Sequence, residues 1–154
     1  MSIIEFLRSI NGLAQLWAAN GQFLGVLSSN QYDPNSICNP NGMYGSSWSA
    51  TSIRTEYSMY GAEYGVYSAY NPYCVKPPAI VFQNQIVLVV TRNQYAVTNG
   101  VQSVDPDLLF IAYSSNTHAT PKPLNTYTQR HRNTQNFVGS WSQSFGLGLP
   151  MDQL

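Results

Sequence analysis

Apolar positions change their spacing several times along the sequence, and each change marks an element. Ile3, Phe6, Leu7 and Ile10 recur at intervals of three and four and share one helical face. Ser2 and Glu5 bracket the start as a capping box, in which each side chain satisfies the other's backbone amide. Asn11-Gly12 then supplies a stop, so the pattern predicts a helix over residues 3–10. A helix that short is marginal alone in water and must dock, either on its own body or on a neighbour.

The spacing then shortens to that of strands. Residues 14–19 and 22–28 flank Asn20-Gly21, a strong hairpin signal because both residues tolerate the positive φ of a type I′ turn. A second hairpin is predicted over 79–91, turning at Gln83-Asn84-Gln85. Its second strand, Ile86-Val87-Leu88-Val89-Val90, is apolar almost without alternation, as expected of a strand covered on both faces. Each hairpin runs into the same tripeptide, Asn30-Gln31-Tyr32 and Asn93-Gln94-Tyr95, which suggests two related halves. Asp105-Pro106 reads as an N-cap with proline at the first helical position, opening a short helix over 106–112.

Between the hairpins, residues 36–75 repeat. A shift of sixteen residues lays Ser36-Ile37 on Ser52-Ile53 and then on Ser68-Ala69. The same shift lays Tyr44-Gly45 on Tyr60-Gly61, Trp48 on Tyr64 and Tyr57 on Tyr73. Each unit is punctuated by Gly, Pro and Asn, with an aromatic residue about every fourth position. That predicts a turn-rich lobe stapled by aromatic rings, with Gly45 and Gly61 in left-handed turns. So few short units cannot stand as a free solenoid, so the lobe must pack on the hairpins.

Composition sharpens this picture. Charged residues make up 9% of the protein, where roughly 25% is usual, and the formal net charge is zero. Ser, Thr, Asn and Gln fill a third of the sequence, beside eleven tyrosines and three tryptophans. A neutral protein has no long-range field to gather nucleic acid or an anionic membrane, so neither is an expected partner. No apolar run approaches the ~20 residues of a membrane span. Hydrophobic residues at 44% exclude charge-driven disorder. The N-terminus has no basic and long apolar signal segment. Low charge with many amides and tyrosines nonetheless favours an extracellular setting, or an assembled particle, over the cytoplasm.

The run from Asn30-Gln31-Tyr32-Asp33-Pro34 through Ser36-Ile37-Cys38-Asn39-Pro40, Tyr44-Gly45, Ser46-Ser47-Trp48-Ser49 and Ser52-Ile53 resembles a group of bacterial, mainly cyanobacterial, repeat proteins. These carry NxYDPxSIxNPxGxYGSxxS loops and a following Pro-Pro hairpin, matched here by Pro77-Pro78. The likeness covers roughly residues 20 to 95. It implies an organisation, a bacterial source and a group that is usually exported; it implies no activity.

Candidate chemistry is sparse. Catalytic, phosphate-binding and calcium-loop signatures are absent from the sequence, and no cofactor is expected. Asp105 and Asp107 read as helix-capping residues, Glu56 and Glu63 as solvated or ion-paired carboxylates, and Arg130-His131-Arg132 as the only basic cluster. Cys38 and Cys74 are a candidate disulfide that would enclose the repeats, or else two small buried thiols. The aromatic residues divide between core packing and an exposed platform for a protein or a glycan.

The expected architecture is mainly β: two hairpins forming a small sandwich or barrel-like core, an aromatic repeat lobe, a short N-terminal helix and an extended C-terminal arm. Residues 1–113 form the domain and 114–154 the arm. The expected function is that of a non-enzymatic structural subunit, homo-oligomeric or part of a larger assembly; a glycan-binding module is the alternative. Expected interface residues are Ile3, Phe6, Leu7 and Ile10 on the helix, and Trp48, Tyr60 and Tyr64 on the repeats. In the arm they are Phe137, Trp141, Phe145, Leu147 and Leu149, where large apolar residues alternate with glycine near the end.

Overall fold

The fold was obtained as a computed structural model, which describes residues 1–114. Helix α1 spans Ile3–Ser9 and carries the capping box: the Glu5 amide donates to Ser2 Oγ at 3.1 Å and the Ser2 amide donates to Glu5 Oε2 at 2.8 Å. Strands β1 (Gln15–Trp17) and β2 (Phe23–Val26) form the first hairpin, and β3 (Ala79–Phe82) and β4 (Gln85–Val90) the second. They are followed by β5 (Ser103–Val104) and helix α2 (Pro106–Tyr113). Asp105 caps α2 by accepting from the Asp107 amide at 2.9 Å, with proline in the first turn as its sequence predicts.

The five strands form one open sheet in the order β2-β1-β3-β4-β5. The hairpins are joined edge to edge through antiparallel β1 and β3, so the expected sandwich or barrel gives way to a single sheet. β5, not anticipated from the sequence, lies parallel to β4. Both hairpin turns differ in detail from expectation. In the first, Gly21 takes φ 89° but Asn20 stays at negative φ, and the Gly21 amide donates to Ala18 O at 3.0 Å. This is a tight turn ending in a left-handed glycine, with a bulge beside it at Leu16/Trp17. The second has a two-residue loop in which Gln83 and Asn84 both have positive φ, leaving Gln85 in the strand.

One face of the sheet presents Leu16, Leu24, Ile80, Leu88 and Val90 to the main core. There they meet Ile3, Leu7 and Ile10 of α1 and Leu109, Phe110 and Tyr113 of α2. The opposite face carries a smaller cluster of Trp17, Ala79, Val81, Ile86 and Val89 with Val101. Strands β3 and β4 are therefore apolar on both faces, which explains their unbroken hydrophobic runs. The two helices are tied by Tyr113 OH donating to Leu7 O at 2.7 Å and Arg8 Nε donating to Ala112 O at 3.1 Å. Ile3, Leu7 and Ile10 are thus consumed by the protein's own core, and Phe6 packs half-buried against it. Of the two docking partners open to this helix, it has taken its own body.

Residues 27–78, between the hairpins, contain no strand or helix. They advance by turns, the backbone folding back on itself every third residue. The amides of Asp33, Ser36, Asn39 and Gly42 each donate to the carbonyl three residues earlier, then that of Ser46 reaches four back to Gly42. The pattern resumes at Ser52 and Thr55, steps by four again at Ala62 to Ser58, and continues through Gly65, Ser68, Asn71 and Cys74. Small or polar residues occupy these positions because their side groups complete the turns. Asn30, Asp33, Ser36, Asn39, Ser49, Ser52, Ser58, Ser68 and Asn71 each accept a bond from the amide two residues on. Bonds across the turns recur at sixteen-residue spacing. Asn39 Nδ2 donates to Asp33 O at 3.0 Å, Thr55 Oγ1 to Ser49 O, and Asn71 Nδ2 to Gly65 O at 2.9 Å.

Gly45 and Gly61 sit in the four-residue steps, but not with the left-handed φ expected of them. A side chain there would strike backbone: Asn39 O and N (2.7 Å) at Gly45, Thr55 O and Ile53 O (2.7 Å) at Gly61. Hydrogen bonds between side chains and backbone hold this segment where aromatic staples were expected. Nor does it stand apart as a lobe, since Ile37, Cys38, Ile53, Tyr60 and Ala69 belong to the main core. Cys38 and Cys74 are both buried and both free thiols, so no disulfide encloses the segment. Burial pushes the Cys38 thiol up to about 11.

Candidate functional site: an exposed aromatic surface and the buried charges behind it

The turn geometry decides which aromatic residues face solvent. Positions next to the bonded spine point outward, and the sixteen-residue spacing returns the same outward position in successive stretches. Tyr32, Trp48 and Tyr64 occupy one such position and are 82%, 74% and 70% exposed. Tyr57 and Tyr73 occupy a second, and Met43, Met59 and Val75 a third; all are exposed. Large side chains left in water at recurring positions, with hydroxyls and amides around them, have the composition of an adaptable contact surface.

Other aromatics turn inward. Tyr60 is buried, accepts at its hydroxyl from Asn20 Nδ2 at 2.9 Å, and stacks on half-buried Tyr67 with centroids 6.2 Å apart. Tyr44 packs edge-on against Phe23, 5.0 Å between centroids. Of the residues expected at an interface, Trp48 and Tyr64 are therefore available on the surface while Tyr60 is not. Phe137, Trp141, Phe145, Leu147 and Leu149 lie outside the described residues, as do His118, His131 and the basic cluster.

Tyr57 and Tyr73 were among the aromatics open to either role, whereas Tyr32 and the two methionines were missed as surface candidates. The signal was present: extending the sixteen-residue shift upstream of Ser36 lays Tyr32 on Trp48 and Tyr64.

Behind the third turn stretch lies a buried charge cluster. Arg92, just beyond β4, donates from Nη2 to Asp107 Oδ2 at 2.6 Å, and its Nε lies 3.4 Å from Asp105 Oδ2. Its guanidinium carbon sits 4.6 Å from the centroid of the Tyr70 ring, and Tyr70 OH donates to Asp107 Oδ1 at 3.3 Å. The Arg92 amide also donates to Ala69 O at 2.9 Å. Arg92 faces both carboxylates, and the positive end of α2 adds to their compensation. Burial raises the Tyr70 phenol well above its ordinary value, with the Asp107 carboxylate adding to the effect, so it stays a proton donor. The cluster joins sheet, helix and turn segment, and all of its members are shielded from solvent. Of the two residues read as helix caps, Asp105 caps α2, while the Asp107 carboxylate is turned to Arg92 and Tyr70 instead.

A shallow depression of about 180 Å³ lies between β1 and the β3–β4 turn, lined by Leu13, Gln15, Val81, Gln83 and Asn84. It is smaller than the ~300–1,000 Å³ of ordinary ligand pockets and carries no ionisable group. Among the described residues, no three His, Cys, Asp or Glu side chains gather as a metal set, and no helix is long and apolar enough to cross a membrane. Glu56 is exposed and Glu63 half-buried, both within the turn segment. Comparison of the sequence and fold with protein-family models, curated proteins and solved structures finds no match in any of the three.

Proposed function

We propose that this protein is a non-enzymatic structural subunit that self-assembles into, or decorates, an extracellular filament, sheath or particle. The reading rests on the exposed aromatic and methionine positions that recur along the turn segment. A second copy of the protein is the proposed occupant. Zero net charge removes the repulsion that keeps like molecules apart, and the sequence beyond residue 114 carries apolar residues at Phe137, Trp141, Phe145, Leu147 and Leu149 for a neighbour's aromatic positions to receive. A head-to-tail contact of this kind propagates into fibres or closes into rings.

Light scattering of the full-length protein across a dilution series tests this reading. The expected result is a large species that resists dilution and is lost in the triple variant Y32S/W48S/Y64S and on truncation after Asn136. A 17 kDa monomer at every concentration overturns it. In that event the same aromatic positions support the second reading, a glycan-binding surface, whose signature is quenching of Trp48 fluorescence by an oligosaccharide.

A further inference from the structure

We infer that Asn99 is a site of spontaneous deamidation in the folded protein, singled out by the fold from four Asn-Gly pairs. Such pairs are reactive because glycine leaves its own nitrogen unshielded. That nitrogen, once a water-borne base removes its proton, attacks the asparagine Cγ. A bond forms between them, the bond from Cγ to Nδ2 breaks, and ammonia leaves with a proton from solvent. Water then opens the resulting five-membered imide at either carbonyl, giving aspartate or isoaspartate with no change in oxidation state. The step needs a glycine amide free of hydrogen bonds and an asparagine carboxamide free to turn onto it.

Three of the four pairs are held against this motion. The Gly12 amide donates to Leu27 O at 2.6 Å, and both ends of the Asn11 carboxamide are bonded to Ser29. The Gly21 amide donates to Ala18 O at 3.0 Å, with the Asn20 carboxamide held by Tyr60 OH and the Gln22 amide. The Gly42 amide donates to Asn39 O at 3.1 Å inside the turn segment. Asn99-Gly100 differs. Both residues are exposed, and the turn is closed by a bond from the Val101 amide to Thr98 O at 3.1 Å, which involves neither of them. Among the described residues, nothing holds the Asn99 carboxamide or the Gly100 amide. Asn99 also sits at φ 53°, a left-handed conformation that costs a non-glycine residue free energy and gives the loop a reason to rearrange.

The product would alter the molecule locally. Residues 93–102 contain no charged group, so the new carboxylate gives this loop its first charge and takes the protein from net zero to net negative. Isoaspartate adds a carbon to the backbone between β4 and β5, strands that share only the pairs Val89–Ser103 and Val90–Val104.

The test is incubation of the full-length protein at mildly alkaline pH, folded and in parallel in denaturing urea, followed by peptide mapping with mass spectrometry. In the folded protein the peptide containing Asn99 gains one mass unit at least several-fold faster than those containing Asn11, Asn20 or Asn41. In urea the four rates converge. N99Q, which does not close the five-membered ring, loses the mass gain. The inference is overturned if another pair reacts as fast in the folded protein, if the same ranking persists in urea, or if N99Q still gains the mass.

Discussion

Replacing Gly61 by alanine isolates the close approach on which the turn segment depends. Its φ lies outside the left-handed region, so alanine there should stabilise by about 0.4–1 kcal/mol through the unfolded state alone. The added methyl, however, collides with Thr55 O and lies 2.7 Å from Ile53 O and 3.0 Å from the Ile53 carbonyl carbon. These are backbone atoms, and no rotamer change can clear them. Overpacking of this kind costs about 1–3 kcal/mol. Displacing residue 55 also disturbs the Thr55 Oγ1 bond to Ser49 O, worth about 1 kcal/mol more. The net expectation is a loss of about 2–3 kcal/mol, or about 1–2 M in the urea midpoint at an ordinary m-value. Gly12→Ala is the matched comparison: at φ 79° with open space around it, it should lose about 1–2 kcal/mol from conformation alone. Urea unfolding followed by circular dichroism measures both. A G61A protein as stable as the parent refutes the close approach, and a change in m without a fall in midpoint assigns the effect to the unfolded state.

Asn71→Ala removes the bonds to Gly65 O and from the Tyr73 amide at once, and should cost about 1–3 kcal/mol in the same urea assay; a neutral result would mean that these bonds merely decorate the turns. Arg92→Met strands Asp105 and Asp107 in the interior and should cost about 3–5 kcal/mol, of which a double variant R92M/D107N should regain a measurable part; additive losses would deny the coupling. Stability should fall between about pH 9 and 11, because the unfolded protein releases the Cys38 proton there while the folded protein, with its thiol pushed up to about 11, keeps it; the raised Cys74 thiol adds to the same fall. The raised Tyr70 and Tyr113 phenols extend the fall at higher pH, and Cys38→Ala should flatten the first part; parallel urea-midpoint profiles for the two proteins would refute the assignment.

Elements governed by local rules were readable from the sequence. The Ser2/Glu5 box, the Asp105-Pro106 start and the two hairpins each rest on contacts within a few residues. What the sequence left open was set by distant contacts. Nothing local says that β1 pairs with β3 as well as β2, and that pairing turns two hairpins into one sheet rather than a sandwich. The helix pattern over 3–10 located a buried face but not its partner, which is α2, about a hundred residues away. The glycines at 45 and 61 were legible as necessary, while the reason, a backbone passing close by, required the fold. The sixteen-residue spacing was visible from Ser36 onward. The three-residue step inside it was hidden because Asn, Asp, Ser, Thr and Gly all serve at the same position. For the surface, Trp48 and Tyr64 could be nominated from the repeat, but their separation from buried Tyr60 depends on turn geometry that aromatic spacing does not encode.

Because four steps of three and one of four bring the backbone back to equivalent bonds, the turn segment has a reading frame of its own. A single inserted residue would carry every following Ser, Asn and Thr off the spine and set bulky neighbours such as Tyr57 or Tyr67 in their place. An insertion or deletion of sixteen would leave every bond intact and add or remove one complete set of outward aromatic positions. The segment is thus built to change length in whole quanta, and relatives by descent should differ there by multiples of sixteen residues.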